Sequence, residues 1–541
     1  MNSLWWKEWR ESRRYLAIFI AWMTIAVCYA IAYELGHHYR AVVGHFSGWA
    51  LLYSLFAAVV LATRTSHGER TDGTIAFSAA LPISMRRIGT ARIVSAVATL
   101  GIPLVIAAGI LSIALASGLV EQAGPRLGRA YTQLPQRGTA ALPTSLEQLW
   151  SIAAIAILGG VELLLLSSLL GCYLRNQAQT GLAGAVMALG SLIAGVVFWF
   201  RDRNDWAQLA YGILLPQSLA IQWSYGDDPG YYTDHELAQY RWIAMGLSLP
   251  VLAIIGHLFV MRYGALRGSS TPVKRRRLGI ALPPILARIP IRLPGRLPAM
   301  IWLELRQSMP LAAFGLLLGV LMSIATVLTE LQHGYSLGTS VLMDLPNNML
   351  AVAMLWAVVV GSGLYAADLG SGLGAFWRSR PISPGLWFWT KFVVGLAAVV
   401  GVLDGVTILI SWNSPRASMT TGMSWAYVGC SPIDHALMYA LAVLGTCWFR
   451  RPVIGGILAI LGYTLLHVAI TTFPMTDRLE PINVYNAMLS AERSGQVDFT
   501  QHGYPLVYGA QVVLVVLLAL VSSRLARPLL PTSRWFVPQT N

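Results

Sequence analysis

The chain has 541 residues, of which 56% are hydrophobic and only 11% charged. Soluble domains carry about 25% charged residues, so this composition excludes a water-soluble protein of this size and makes lipid the solvent for much of the surface. The net charge of +14 is compatible with nucleic acid, but the placement of the basic residues described below argues against it.

Residues 1–14 place Leu4, Trp5, Trp6 and Trp9 among Lys7, Glu8, Arg10, Glu11, Arg13 and Arg14. Indoles prefer the headgroup layer and basic residues prefer anionic lipid. The pattern predicts an amphipathic helix on the cytosolic face, carried by Trp6, Glu8 and Arg10. No cleavable signal peptide is expected, because the apolar run that follows is long enough to span. Six candidate spans of the first half are 15–33, 41–63, 93–120, 149–174, 176–200 and 242–261. A span needs about 20 apolar residues as helix. Between the second and third spans lies Glu69 to Ser84, E-R-T-D-G-T-I-A-F-S-A-A-L-P-I-S. The external segment 201–241 contains an apolar stretch, Trp206 to Trp223, split by Pro216; a re-entrant hairpin shielded by protein and a plain loop are both open.

The segment 264–299 is rich in Pro and Arg, with Lys274-Arg275-Arg276-Arg277 at its middle. It reads as a cytosolic linker between a first half, 1–263, and a second, 300–541. The second half repeats the first. Trp302, Glu304, Arg306 and Ser308 answer Trp6, Glu8, Arg10 and Ser12 at an offset of 296 residues. Asp368, Gly372, Phe376 and Pro381-Ile382-Ser383 answer Glu69, Gly73, Phe77 and Pro82-Ile83-Ser84 at an offset of 299. An internal duplication is the economical account. Six further spans follow: 310–329, 345–367, 392–412 (interrupted by Asp404), the short 434–449, 452–473 and 505–523. The expected fold is all-α, a polytopic membrane protein with about 12 transmembrane helices in two pseudo-symmetric six-helix halves with cytosolic coupling helices. Period-two patterning of a β-barrel is absent.

With the N-terminus inside, 28 of the 38 Lys and Arg fall in cytosolic segments, and 15 of the 24 acids fall outside. The charge surplus is then a topology signal, and no nucleic-acid partner is expected. The phosphate-binding loop needs a Gly-Lys pair, and Lys7, Lys274 and Lys391 all lack the preceding Gly. No metal or cofactor is expected in the chain; His37, His38 and His45 form the nearest histidine cluster. Cys28, Cys172, Cys430 and Cys447 have no ligand or redox spacing. No G-x-S-x-G turn is present, and no enzyme activity is expected. Glu162, Asp404 and Asp434 are acids inside spans, costly there and therefore candidates for helix packing or for substrate or proton roles. No span pairs one of them with a base, which weighs against an ion- or proton-coupled carrier with twelve spans, the alternative reading.

This constellation resembles the membrane subunit of type-2 ATP-binding-cassette exporters, in which an acid-x-x-x-Gly-Thr…Leu-Pro-[ILV]-Ser stretch after the second span forms the coupling helix. Glu69, Gly73, Thr74, Leu81, Pro82, Ile83 and Ser84 match it. The second copy departs, with Leu373 for Thr74 and Arg380 for Leu81. The resemblance implies a permease with both halves fused in one chain, coupled through Glu69, Gly73, Thr74, Pro82, Ile83 and Ser84 and through Asp368, Gly372, Phe376, Pro381, Ile382 and Ser383. It implies a separate cytosolic ATPase, two copies, which binds ATP and Mg. It also implies a lipid, drug-like or peptide substrate, and suits a bacterial inner membrane with both termini cytosolic.

Overall fold

A computed structural model describes residues 2–37, 42–71, 84–119, 145–174, 177–201, 205–216, 236–265, 295–330, 337–365, 383–413, 421–472 and 504–526. Among these residues there is no strand. The chain divides into two compact units, Met1–Gly279 and Ile280–Asn541.

Unit 1 contains α1 (Asn2–His37), α2 (Val42–Thr71), α3 (Met85–Ala116), α4 (Ser145–Gly171), α5 (Gln177–Arg201), α6 (Asp205–Leu214) and α7 (Glu236–Gly264). The residues expected to lie flat on the membrane are the first turns of α1, with no break before the span. α2 packs along α4 and against α5, α1 packs against α3 and α2, and α7 packs against α3, α4 and α6. Tyr53 lies at the centre of this unit. Phe19 and Trp22 meet its ring edge-on at 5.5 and 5.6 Å, and its hydroxyl donates to the Leu100 carbonyl at 3.0 Å. A buried phenol keeps its apolar payload only when its O–H finds an acceptor. Pro103 and Pro250 lie inside α3 and α7, as neighbouring helices in a membrane permit. α6 ends two residues before Pro216, and its Leu209 and Ile213 pack with Ile155, Ala244 and Met245. The first arm of the stretch 206–223 is therefore a short helix with one side packed on protein and Leu214 exposed; 217–223 lie outside the described residues.

Unit 2 contains α8 (Arg296–Glu330), α9 (Leu337–Gly363), α10 (Pro384–Ala398), a π-helical turn (Val399–Asp404), α11 (Gly405–Asn413), α12 (Thr421–Phe449), α13 (Pro452–Thr472) and α14 (Tyr504–Ala526). α12 packs against α9, α13 and α14, and α8 packs against α9 and α10. The short span expected at 434–449 is the second part of a helix of 29 residues that runs through Pro432. The interruption expected at Asp404 is a π turn that carries α10 into α11 without a break, so that Pro384–Leu409 is one apolar helix.

Eight helices among the described residues are long and apolar enough to cross a membrane: Trp5–Ile31, His45–His67, Met85–Ala116, Leu146–Gly171, Trp242–Gly264, Leu297–Ile324, Pro384–Leu409 and Gly509–Ala526. The chain is a multi-pass helical membrane protein. The other four sequence candidates fall on α5, α9, α12 and α13, where Val352–Gly363 and Pro452–Leu466 are shorter apolar stretches. Apolar side chains left exposed, such as Val512, Val513, Val516 and Leu517 on α14, suit acyl chains.

The close approach of α12 to α13 depends on two glycines. A Cβ on Gly445 of α12 would sit 2.8 Å from the Gly455 Cα of α13, and one on Gly455 would sit 2.6 Å from the Thr446 backbone nitrogen. Small residues that let backbones touch drive association where lipid removes the hydrophobic incentive. G455L is expected to destabilise unit 2 by about 1–3 kcal/mol through overpacking. G509L, at a site with nothing within 4 Å, is expected to be neutral. Thermal unfolding of the two purified variants in detergent checks this.

Candidate functional site

Each unit encloses a buried carboxylate–cation pair near one end of its bundle, built from equivalent positions. In unit 1, Glu8 on α1 is 2% exposed and Arg92 on α3 is 6% exposed. Arg92 Nε donates to Glu8 Oε1 at 3.3 Å. Arg64 of α2 stands 3.7 Å from Glu8 Oε2 and 3.6 Å from Glu11 Oε2, and its Nη1 donates to Ser12 Oγ at 2.6 Å. The Arg92 fork is further used: Nη1 donates to the Tyr263 hydroxyl of α7 at 2.9 Å and to the Thr65 carbonyl of α2 at 3.5 Å. Ser12 and Ser95 hydroxyls meet at 2.6 Å, and Ser12 also donates to the Glu8 carbonyl. Four helices are tied at one level.

In unit 2, Glu304 on α8 is 2% exposed and Lys391 on α10 is 1% exposed. Lys391 Nζ meets Glu304 Oε1 at 2.8 Å and donates to the Leu364 carbonyl, just past α9, at 3.4 Å. The ammonium also stands 5.9 Å from the Tyr365 ring and 5.8 Å from the Trp387 ring. Ser308 donates to the Glu304 carbonyl as Ser12 does to that of Glu8. Glu8/Glu304 and Ser12/Ser308 share one sequence offset, and Arg92/Lys391 and Thr65/Leu364 share the other. A charge in lipid is tolerated when it is paired and its remaining donors are used.

The cation of each pair lies on the helix that follows a repeated stretch. Ser84 and Ser383 precede α3 and α10 as N-caps with nearly the same backbone, φ −66° and ψ 138° against φ −66° and ψ 140°. Their hydroxyls accept from Arg87 N at 3.4 Å and Leu386 N at 3.2 Å, satisfying an otherwise orphaned donor of the first turn. Pro384 fits the first helical position, where no N–H is needed. Each cap is eight residues from its cation, about 12 Å along the helix. Glu69 lies in the last turns of α2. Gly73, Thr74, Pro82, Ile83, Asp368, Gly372, Phe376, Pro381 and Ile382 lie outside the described residues.

The residues grouped as an interfacial face separate into two roles. Trp6 is exposed, with the Arg10 guanidinium 5.2 Å from its ring. Trp302 is half-buried and Arg306 exposed. Glu8 and Glu304, by contrast, are buried on the opposite side, against α3 and α10. The bases that answer these acids come from other helices.

Acids deeper in the spans differ among themselves. Asp404, fully buried in the π turn, accepts from Ser431 Oγ at 3.1 Å and bonds His435 Nδ1 at 2.7 Å, both from α12. Glu162 is buried on α4; its Oε2 and the hydroxyls of Ser167 and Ser168 have no hydrogen-bond partner among the described residues. His45 packs edge-on against Tyr29. Among the described residues no group of three or more His, Cys, Asp or Glu is placed to hold a metal ion. A further repeat went unread in the sequence: Cys172-Tyr173-Leu174-Arg175 after α4 and Cys447-Trp448-Phe449-Arg450 at the end of α12. Both cysteines are buried.

No family model, curated protein or solved structure matches the chain.

The pairs are expected to behave as buried charges. E304A leaves an unanswered ammonium and should cost about 3–5 kcal/mol. The double change E304L/K391M removes both charges and should recover most of that loss. Unfolding midpoints of E304A and of the double variant, measured together, check it; equal losses in both would show that the charges themselves do not matter.

Proposed function

We propose that the chain is the transmembrane permease of an ATP-binding-cassette exporter, with two six-span halves in one polypeptide. In this reading it moves a lipid, drug-like or peptide substrate across a bacterial inner membrane. Its power comes from a separate cytosolic ATPase, two copies, which holds ATP and Mg. Both termini and both repeated stretches then lie in the cytosol.

One observation carries the reading. The repeated stretches, Glu69–Ser84 and Asp368–Ser383, each end in a serine cap, and the capped helix carries a cation eight residues later that is bonded to the first helix of its unit. A push on the cap end of α3 is therefore delivered to α1 and α2, and one on α10 to α8 and the end of α9. Charged hydrogen bonds between helices, not apolar contact alone, resist shear between them. A loop with no mechanical duty has no need of such an anchor in both copies. Gly73 and Gly372 suit a tight turn, and Pro82 and Pro381 disfavour helix just before them, so each stretch can form a short, bounded prong.

A second reading, the ion- or proton-coupled carrier, is favoured by the Asp404–His435 contact, since acid–imidazole chains serve proton relays in membranes. It gives no reason for two capped cytosolic repeats.

Replacing Glu69, Gly73 and Ile83 by Ala, Val and Asp is expected to release a co-purified ATPase, or to abolish stimulation of its ATP hydrolysis, while the permease still reaches the membrane. Pull-down from solubilised membranes measures it. Unchanged ATPase binding and stimulation would contradict the coupling role, and transport that stops on collapse of the proton gradient in ATP-replete vesicles would favour the carrier.

A further inference from the structure

We propose that Asp404 and His435 form a proton-binding site inside unit 2, independent of the coupling stretches. Three observations converge on this pair. Asp404 and His435 are each 0% exposed, and their contact, 2.7 Å between Oδ1 and Nδ1, has the length of a charge-assisted hydrogen bond, the path along which a proton moves between such groups. The second Asp404 oxygen, Oδ2, accepts no hydrogen bond among the described residues, so an acceptor stays open in a place where leaving one open is costly. Asp404 also closes the π turn Val399–Asp404, where the cap N–H of Gly405 reaches back to the Val400 carbonyl. Such single-turn bulges are enriched at functional sites.

The ligand is limited to something very small. Asp404, Ser431 and His435 are fully buried, and the contacts leave no room between Oδ1 and the imidazole. A divalent metal wants four or more donors, and no group of three or more His, Cys, Asp or Glu gathers among the described residues. A proton needs one acceptor. With a neutral imidazole donating its Nδ1–H to the carboxylate, the pair carries one negative charge. Uptake of a proton at Asp404 Oδ2 forms one O–H bond and brings the pair to net neutrality; release breaks that bond and returns the proton to water. Either event changes the charge inside the bundle by one. The contact between the π turn and α12 is where that change is felt.

Other charged groups stand on the elements packed around this turn. Asp434 of α12 adjoins His435 in sequence and is 1% exposed. α8 carries Arg296, Glu304, Arg306 and Glu330, α9 carries Asp344, and α14, which touches α10, carries Arg524. Lys391, on the same continuous helix, is bonded to Glu304 13 residues earlier, about 20 Å away. Ser431 and His435 are the side chains bonded to Asp404. Unit 1 has no equivalent. The position matching Asp404 at the offset of the caps is Val105, and those matching Asp434 and His435 at the Cys172/Cys447 offset are Gly159 and Gly160. The site is thus a property of one unit.

The test uses the full chain in lipid nanodiscs, with ¹⁵N-labelled histidine. The imidazole signal lost in H435Q is expected to shift between about pH 5 and about pH 8 in the wild type, and D404N is expected to abolish or displace that shift while D404E retains it. Where H435Q does not accumulate, infrared difference spectra carry the same test: a pH-dependent carboxyl band of the wild type should move in D404E. A His435 signal that stays constant across the range, or titrates identically in D404N, overturns the proposal, as does a carboxyl spectrum unchanged by D404E. Because no ATPase or transport readout enters, failure here leaves the exporter reading standing, and failure of that reading leaves this one.

Discussion

A charge in hydrocarbon must find an opposite charge or leave. Glu8 and Glu304 meet that demand with a base from the third helix of their own unit, and the remaining donors of that base go to a second-helix carbonyl. Everything else at this end of each bundle is arranged around the pair: a serine one turn along the first helix, a serine cap eight residues before the base, and aromatic rings beside the cation. Removing one member leaves the other buried without its counter-charge, and this asymmetry keeps the three helices in register.

The two pairs are built with different chemistry. Arg92 is a planar fork whose contacts reach Glu8, Thr65 and Tyr263, and Arg64 adds a second guanidinium near the same acid. Lys391 is a compact ammonium set between Glu304 and two rings. A fork fixes orientation, whereas an ammonium can rotate its three donors. That difference parallels the divergence of the repeated stretches, where Leu373 and Arg380 replace Thr74 and Leu81. It also parallels the presence of the Asp404–His435 site in unit 2.

Much of the helical architecture was legible in the sequence, because long apolar runs have few other structures open to them. The caps at Ser84 and Ser383 were legible as the ends of a repeated motif. Their partners were not. Arg92 reads as an unremarkable basic residue at the start of a span, and Lys391 stands in a run of aromatics; only the fold brings them to acids 84 and 87 positions earlier in the chain. The signal was nonetheless present. Glu and Ser four apart recur in both first helices, and four residues apart is one helical face. The short span from 434 and the interruption at Asp404 misled for a related reason: α12 extends back through Pro432, and a π turn absorbs the acid. Local sequence does not reveal when a neighbouring helix will satisfy an interrupted backbone.

The account depends on both repeated stretches facing the same side of the membrane, the cytosolic one. The direct measurement is labelling by a membrane-impermeant thiol reagent of S84C and S383C, each placed singly in a background without native cysteines; both serines are exposed at their helix ends. The account predicts that both positions label in inside-out vesicles and neither labels in right-side-out spheroplasts. Labelling of the two positions from opposite sides would contradict it.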